Sequence, residues 1–369
     1  MDNVLGIVCE YNPFHIGHSF HIAASELIMN EHAPVVCVMS GDFVQRGEPA
    51  IFPKHDRAEV AVRSGADLVV ELPVPWCLSS AEFFAFGSVS ILESLGVTHL
   101  SFGSESGDIE ALKSVAEIET EKEFCEKLKK YLKDNPEKPY AAAVSDITGS
   151  DLLNGPNNLL GVEYIKAIRK LDADIEPITV KRHTKHDGTD SAKDIRERIY
   201  AGKHPGNPVD RDRLETAIIS RLRMFEREYY NILPNSSDGL GNRLFDAIRG
   251  NSTLDDIYSA AKTKRYSHSA IRRLTMCAAI GIENGICTGV PPYIRVLAFN
   301  DKGREYLSMV KDKSSIPVIT QPKEIFALSE HAQRVFAMGA YAKDLYELGF
   351  SDSYHKACGN DYRLGPVIV

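Results

Sequence analysis

Between Asn3 and Leu171, short β-branched runs alternate with stretches of helical period, and this alternation constrains the fold more than any other feature. "NVLGIVCEY" at the start, "APVVCVMS" from Ala33, "ADLVVELP" from Ala66 and "VTHLSFGSE" from Val97 are bounded by Pro, Gly or Ser and read as buried strands. Helical patterns separate them at Gly17 to Asn30, His55 to Ser64 and Ala81 to Leu95. Strands joined through helices pair in parallel by right-handed crossovers, so the expected fold is α/β, a doubly wound parallel sheet.

The pattern runs on through a charged helix from Asp108 to Leu132, a Pro-containing break at Asn135 to Pro139, and a helix from Asn157 to Leu171. "ADIEPITVKRH" adds a strand, and "SAKDIRERIYAG" a helix closed by Gly202. Beyond Pro208 the segments are mostly helical, with strand-like runs at "YIRVLAFN" and "IPVITQ". A chain of 369 residues with 43% apolar content can bury more than one core. Residues 1–205 and 206–369 are therefore expected as two domains, the second mostly helical.

Charge is divided in the same way. Residues 1–180 carry 14 Lys+Arg against 28 Asp+Glu, a balance of −14, whereas residues 181–369 carry 29 against 23, or +6. A basic second half in a chain of net charge −8 points to a nucleic-acid face there. The seven cysteines are widely spaced with no C-x-x-C pair, which fits reduced thiols. No apolar run nears the roughly 18 residues of a membrane helix, and no secretion signal is visible, so a cytoplasmic protein without membrane contact is expected.

Ligands of a doubly wound sheet sit beyond the carboxyl ends of its strands. The stretch "GIVCEYNPFHIGHSFHI", residues 6 to 22, reaches that position after the first strand. Asn12 and Pro13 turn the chain, Gly17 lets an anion approach the backbone, and the following helix offers free N–H groups. His15 and His18, three apart, project to one side, where they can hold the oxygens of a phosphorus under in-line attack. A metal pair or two capping histidines are the plainer alternatives. A second anion site is readable at "SAKDIRERI", where Ser191 caps a helix and Arg196 follows within it, a pattern suited to a leaving pyrophosphate.

"HIGH" at 15 to 18 together with S-A-x-x-I-R at 191 to 196 resembles the nucleotidyltransferase superfamily that transfers AMP or CMP. The longer strings "EYNPFHIGH", "SGDFVQRGEPAIFPKHDRAEVAVRSGADLVVELP", "SFGSE", "GPNNLLGVEY" and "TKRYSHSAIRRL" are similar to the tRNA(Met) cytidine acetate ligase family. That resemblance runs from residue 3 to the C-terminal "PVIV". One departure is Lys193, where the superfamily has Thr.

The resemblance implies a Rossmann-like nucleotidyltransferase sheet that binds ATP as a substrate, with Mg2+, acetate and elongator tRNA(Met) as its other ligands. It implies acetate activation as acetyl-adenylate, followed by acetylation of N4 of the wobble cytidine. The catalytic roles fall to His15, His18, Ser191 and Arg196. ATP contacts are implied along the segment Gly6, Ile7, Val8, Cys9, Glu10, Tyr11, Asn12, Pro13, Phe14, His15, Gly17 and His18. They are also implied at Gly103, at Asn157 or Asn158, and at Arg182. Each of these last positions flanks a strand end or a helix start.

Two basic segments remain. Gln45, Arg46, Lys54 and Arg57 either line an acetate or RNA entrance, with Lys54 foremost and a further catalytic candidate, or form a solvated loop that pairs with Asp42 and Glu48. In "AKTKRYSHSAIRRL", Lys262, Lys264, Arg265, Arg272 and Arg273 surround Tyr266, a composition that holds phosphates and stacks an unpaired base. A solvated helix start is the alternative. Rival readings of the whole chain are an adenylyltransferase for a small nucleotide or pantetheine substrate, and a non-catalytic RNA-binding protein with a vestigial nucleotide site. The basic second half speaks against the first, and intact His15, His18, Ser191 and Arg196 against the second.

Overall fold

The computed structural model describes residues 3–30, 32–135, 137–138, 140–182, 192–202, 207–234, 236, 239–351 and 357–369. Strands β1 (Leu5–Cys9), β2 (Val35–Ser40), β3 (Leu68–Leu72), β4 (His99–Ser104) and β5 (Glu176–Lys181) lie parallel in the order β5-β4-β1-β2-β3. β1 and β2 are almost wholly apolar because both of their faces are covered. Val35, Cys37 and Met39 of β2 pack with Ile22, Ala58 and Ala61 from one helical layer. Their neighbours Val36 and Val38 point the other way, into a core shared with Val89, Leu92 and Ile165.

The second half joins this sheet. β6 (Ile294–Phe299) pairs antiparallel with β3, and β7 (Val318–Ile319) and β8 (Val367–Ile368) both pair with β6. The larger buried cluster also runs on through Leu214, Ile271, Val335 and Phe336. A boundary near residue 205 therefore divides neither the sheet nor the core. The rest of the second half is helical, as expected, with helices Arg211–Leu222, Arg227–Asn231, Leu240–Gly250, Leu254–Ala261, His268–Ile280, Asp301–Val310 and Glu330–Glu347.

The expected helix from Asp108 to Leu132 is two helices, Ile109–Thr120 and Lys122–Asp134. Glu121 between them is extended, with φ −69° and ψ 133°. Among the described residues no helix is long and apolar enough to cross a membrane.

Candidate active site

From β1 the chain passes to β2 and β3 on one side, then returns to place β4 on the other side of β1. The crevice outside the carboxyl ends of β1 and β4 is the switch point at which such sheets hold ligands. Pairing narrows which residues of β1 can reach it. Gly6 and Ile7 are paired on both sides, to Val36 and Cys37 and to Leu100 and Ser101, whereas Val8 and Cys9 pair with β2. A Cβ on Gly6 would come within 2.7 Å of Val97 Cγ1. Gly6 and Ile7 thus belong to the sheet interior, whereas Val8 and Cys9 lie nearer the crevice.

His15 is the extended N-cap of the helix Ile16–Met29, with φ −149° and ψ 170°. Its Nδ1 accepts from Gly17 N at 3.1 Å, and His18 Nδ1 accepts from His15 N at 3.2 Å. The two rings stack with centroids 3.8 Å apart. Since Nδ1 is an acceptor in both rings, hydrogen-bond assignment puts the proton of each neutral ring on Nε2. Burial, then the charges of His15, His21 and Arg182, push His18 down to about 2. Burial and Arg182 lower His15 as well. Capping and anion binding are therefore not alternatives here: the caps orient two neutral Nε2–H donors. Gly17 keeps the pair in place, because a Cβ there would meet His15 Cε1 at 2.9 Å.

The two motifs meet. Arg196, half-buried in the helix Ala192–Tyr200, donates from Nη1 to Asn12 O at 2.6 Å. Asn12 Oδ1 in turn accepts from Ile51 N at 2.8 Å, so the Tyr11–Phe14 loop, which includes Pro13, is fixed from two directions. Ser191 lies outside the described residues. Lys193 is exposed and 3.8 Å from Glu197.

At the ends of β4 and β5, Arg182 Nη1 donates to Asn157 Oδ1 at 3.2 Å. A Cβ on Gly103 would press against Arg182 Cγ at 3.1 Å. Asn158 is buried and committed: its Oδ1 accepts from Glu105 N at 2.9 Å and its Nδ2 donates to Leu152 O at 2.9 Å. Asn157, by contrast, is half-buried and bonded to Arg182 and Glu105. Glu105, which sequence reasoning passed over, caps the helix Pro156–Leu171 by accepting from Asn158 N at 2.8 Å and Asn157 Nδ2 at 2.6 Å. Burial opposes its charge, but these hydrogen bonds outweigh it and hold the carboxyl below its usual range. A second overlooked group is His21, whose Nε2 lies 2.9 Å from Ser101 Oγ and whose pKa burial and Arg182 lower to about 4. Its i+3 spacing from His18 was the available signal.

Glu10 just after β1 is half-buried, and its Oε1 accepts from Gln45 N at 2.8 Å. Burial raises its pKa, against the pull of Arg46, Arg57 and Arg196.

The basic loop after β2 divides: Arg46 is exposed and Gln45 half-buried, whereas Lys54 and Arg57 are buried. Lys54 has a side chain 1% exposed, with Nζ 2.8 Å from Glu71 Oε1 and 2.9 Å from Asp361 Oδ1. Arg295 completes the cluster at 2.6 Å from Asp361 Oδ2, and Lys343 lies 3.0 Å from Glu347 Oε1. Burial works against the Asp361 charge, yet Arg295, Lys54 and Lys343 hold its carboxyl well below the usual range. A catalytic place for Lys54 at the crevice is thus corrected: three carboxylate partners occupy it inside the protein. Arg57 is likewise buried and donates to Glu10 O at 2.5 Å and Ser40 O at 3.1 Å, stapling the ends of β1 and β2.

The expected RNA segment divides. Lys264 and Arg265 are exposed, and Arg265 lies 5.8 Å from the Tyr266 ring centroid. Lys262 Nζ donates to Thr263 O at 2.6 Å and Tyr266 O at 2.7 Å, closing its own turn. Arg272 pairs with Glu48, and Arg273 Nη1 donates to Gln45 O at 3.5 Å. These two arginines bind the loop after β2, which corrects their expected place on an RNA face. The loop comes so close that a Cβ on Gly47, at φ +75°, would lie 2.5 Å from Arg273 N.

The chain matches the family model described as HIGH Nucleotidyl Transferase at residues 2–216 and 197–361. It is 36% identical over 358 residues to the tRNA(Met) cytidine acetate ligase of Clostridium novyi, covering 86% of this chain and 89% of that one. The chain belongs to the tRNA(Met) cytidine acetate ligase family. The ligase of Acetivibrio thermocellus with the same name is 31% identical over 416 residues, 99% of this chain and 100% of the relative. Among solved structures, Thermotoga maritima TmcAL bound with alpha-thio ATP superposes with a TM-score of 0.88 at 29% identity, covering 99% of both chains.

Proposed function

We propose that this chain joins ATP to acetate as acetyl-adenylate and then acetylates N4 of the wobble cytidine of elongator tRNA(Met). The observation that carries the reading is the meeting of Arg196 with the Asn12 carbonyl, beside the His15 and His18 pair, at the switch point. ATP as the nucleotide is supported by the T. maritima relative that was bound with alpha-thio ATP.

Acetate is already an anion at neutral pH, so the first step needs alignment and charge stabilisation, not a base. One acetate oxygen attacks the α-phosphorus, and the bond to pyrophosphate breaks. His15 and His18 offer Nε2–H donors to the phosphate oxygens at that point. Arg182 beside Asn157 brings a positive charge, and the absence of a side chain at Gly103 keeps the backbone approachable. In the second step the cytidine amine attacks the acetyl carbon, AMP leaves with its oxygen, and N4 gives up one proton.

Magnesium accompanies ATP in such chemistry. Among the described residues no group of three His, Cys, Asp or Glu side chains converges to hold a metal ion, so Mg2+ is given no protein ligand and no step runs through it. The second half supplies exposed Lys264 and Arg265 as RNA contacts.

The test is incubation of purified protein with ATP, labelled acetate and total tRNA, followed by nucleoside analysis. Label is expected in N4-acetylcytidine of elongator tRNA(Met). Acetyl-adenylate without labelled tRNA would overturn the acceptor. Absence of acetate-dependent ATP–pyrophosphate exchange would overturn the ligase reading and favour a non-catalytic RNA-binding protein.

A further inference from the structure

Resting on tRNA as the acceptor, we propose that its phosphodiester backbone is also held away from the crevice, by Arg221, Arg223 and Arg249. These arginines lie on a face that the reaction above does not use. Arg223 Nη2 donates to Asn251 O at 3.1 Å, and Arg249 Nη2 donates to Phe225 O at 3.2 Å. Both guanidinium groups line a hollow of about 350 Å3, together with Gly250, Asn251, Ser252 and Asp256. Each spends one of its five N–H donors on that carbonyl and keeps a fixed plane for a ligand.

Aromatic rings hold two of the three cations in place. Arg221 lies 4.9 Å from the Phe225 ring centroid, and Arg249 lies 5.1 Å from that of Phe245. Arg227 stacks on the other contact of Phe245 at 4.5 Å, but Asp246 neutralises it at 2.6 Å. Among the described residues, Arg221, Arg223 and Arg249 have no such carboxylate partner. Asp256 at the hollow is engaged, with Oδ2 accepting from Thr253 Oγ1 at 2.7 Å.

Arg223 and Arg249 thus share one hollow, and Arg221 lies over Phe225, whose carbonyl accepts from Arg249. Over residues 211–273 the balance is 12 Lys+Arg against 8 Asp+Glu, or +4. Preset guanidinium planes over rings suit bidentate recognition of phosphate oxygens, without reading base identity.

The experiment measures binding of unmodified elongator tRNA(Met) by fluorescence anisotropy over a range of salt, for wild type, the Arg223→Ala/Arg249→Ala double variant and Arg221→Glu. Melting temperature is recorded for each. Affinity of the double variant is expected to fall about tenfold or more near 0.1 M salt, with a salt slope shallower by about 1.5, because two phosphate contacts are lost. If the double variant melts early, Arg221→Glu decides, since its guanidinium is held by a ring and not by a backbone carbonyl. Unchanged affinity and slope in the folded variants would overturn the surface. Weaker binding with an unchanged slope would overturn phosphate as the group recognised. Wild type that forms acetyl-adenylate but binds no tRNA would remove the acceptor reading and this surface with it, leaving an acidic protein partner as the reading of the patch.

Discussion

Arg196 Nη1 and the main-chain carbonyl of Asn12 are 2.6 Å apart, joining segments 184 positions distant in the chain. Asn12 stands three residues before His15, so the helix Ala192–Tyr200 positions the loop that presents the histidines. Arg196→Ala is expected to lower the rate of acetyl-adenylate formation about 100-fold, the cost of losing one well-placed donor. Arg196→Lys, which can still reach one carbonyl, is expected to keep more. Separate kcat and KM values from ATP–pyrophosphate exchange check this. A fall in melting temperature with unchanged kinetics would show a structural tie alone.

The His15 and His18 rings make a sharper test possible, because each uses Nδ1 for the backbone and leaves Nε2 for a ligand. Asn places its side-chain oxygen near the Nδ1 position, whereas Gln reaches the Nε2 position with an amide N–H. His18→Asn is therefore expected to keep the helix start but lose adenylation by about 100- to 1,000-fold. His18→Gln should lose the cap, about 1 kcal/mol, and retain more of the rate. Melting curves and acetate-dependent exchange on the two variants read the two effects separately. Equal loss in both would mean that ring shape, not the Nε2 donor, matters.

Lys54 offers a plain choice between two roles. It is buried among Glu71, Asp361 and, at 4.0 Å, Asp42, so Lys54→Met leaves three carboxylates short of a cation. A loss of about 3–5 kcal/mol is expected, as for other broken buried pairs. Urea denaturation of wild type and Lys54→Met measures it. Full stability with lost adenylation would return Lys54 to the catalytic list.

Much of the α/β half was legible because buried parallel strands and their helices have distinct periods, as in "APVVCVMS" and the helix after His15. The pairing of His15 and His18 at a helix start was legible for a related reason, since it depends on local spacing, whereas the contact of Arg196 with the Asn12 carbonyl was not. What could not be read was pairing across long distances. Lys54 and Asp361 are 307 positions apart, and nothing local marks a lysine as buried. Arg272 and Arg273 look like a solvated basic pair until the Gln45–Glu48 loop is seen to cover them. The place of β6 in the sheet escaped likewise, since an antiparallel partner can come from anywhere in the chain.

His55 gives the fold a dependence on acid that can be isolated. It is 7% exposed, and among the described residues neither ring nitrogen has a hydrogen-bond partner. Burial, reinforced by the charges of Arg295 and Lys54, lowers its pKa to about 3. The unfolded chain, with an ordinary value of about 6.5, binds the proton more readily, so acid favours unfolding. The stability contributed by the neutral ring is complete above pH 6.5 and is lost progressively as pH falls toward 3. Within that window one histidine gives a slope of about 1.4 kcal/mol per pH unit. His21, at about 4, adds to the upper part of the same window. His55→Leu removes one titrating group and two unpartnered polar atoms. It is expected to match or exceed wild-type stability at pH 7 and to fall less steeply from pH 6 to pH 4.5. Urea melts across that range measure the difference in slope, and parallel curves for the two proteins would mean that His55 is protonated equally in both states.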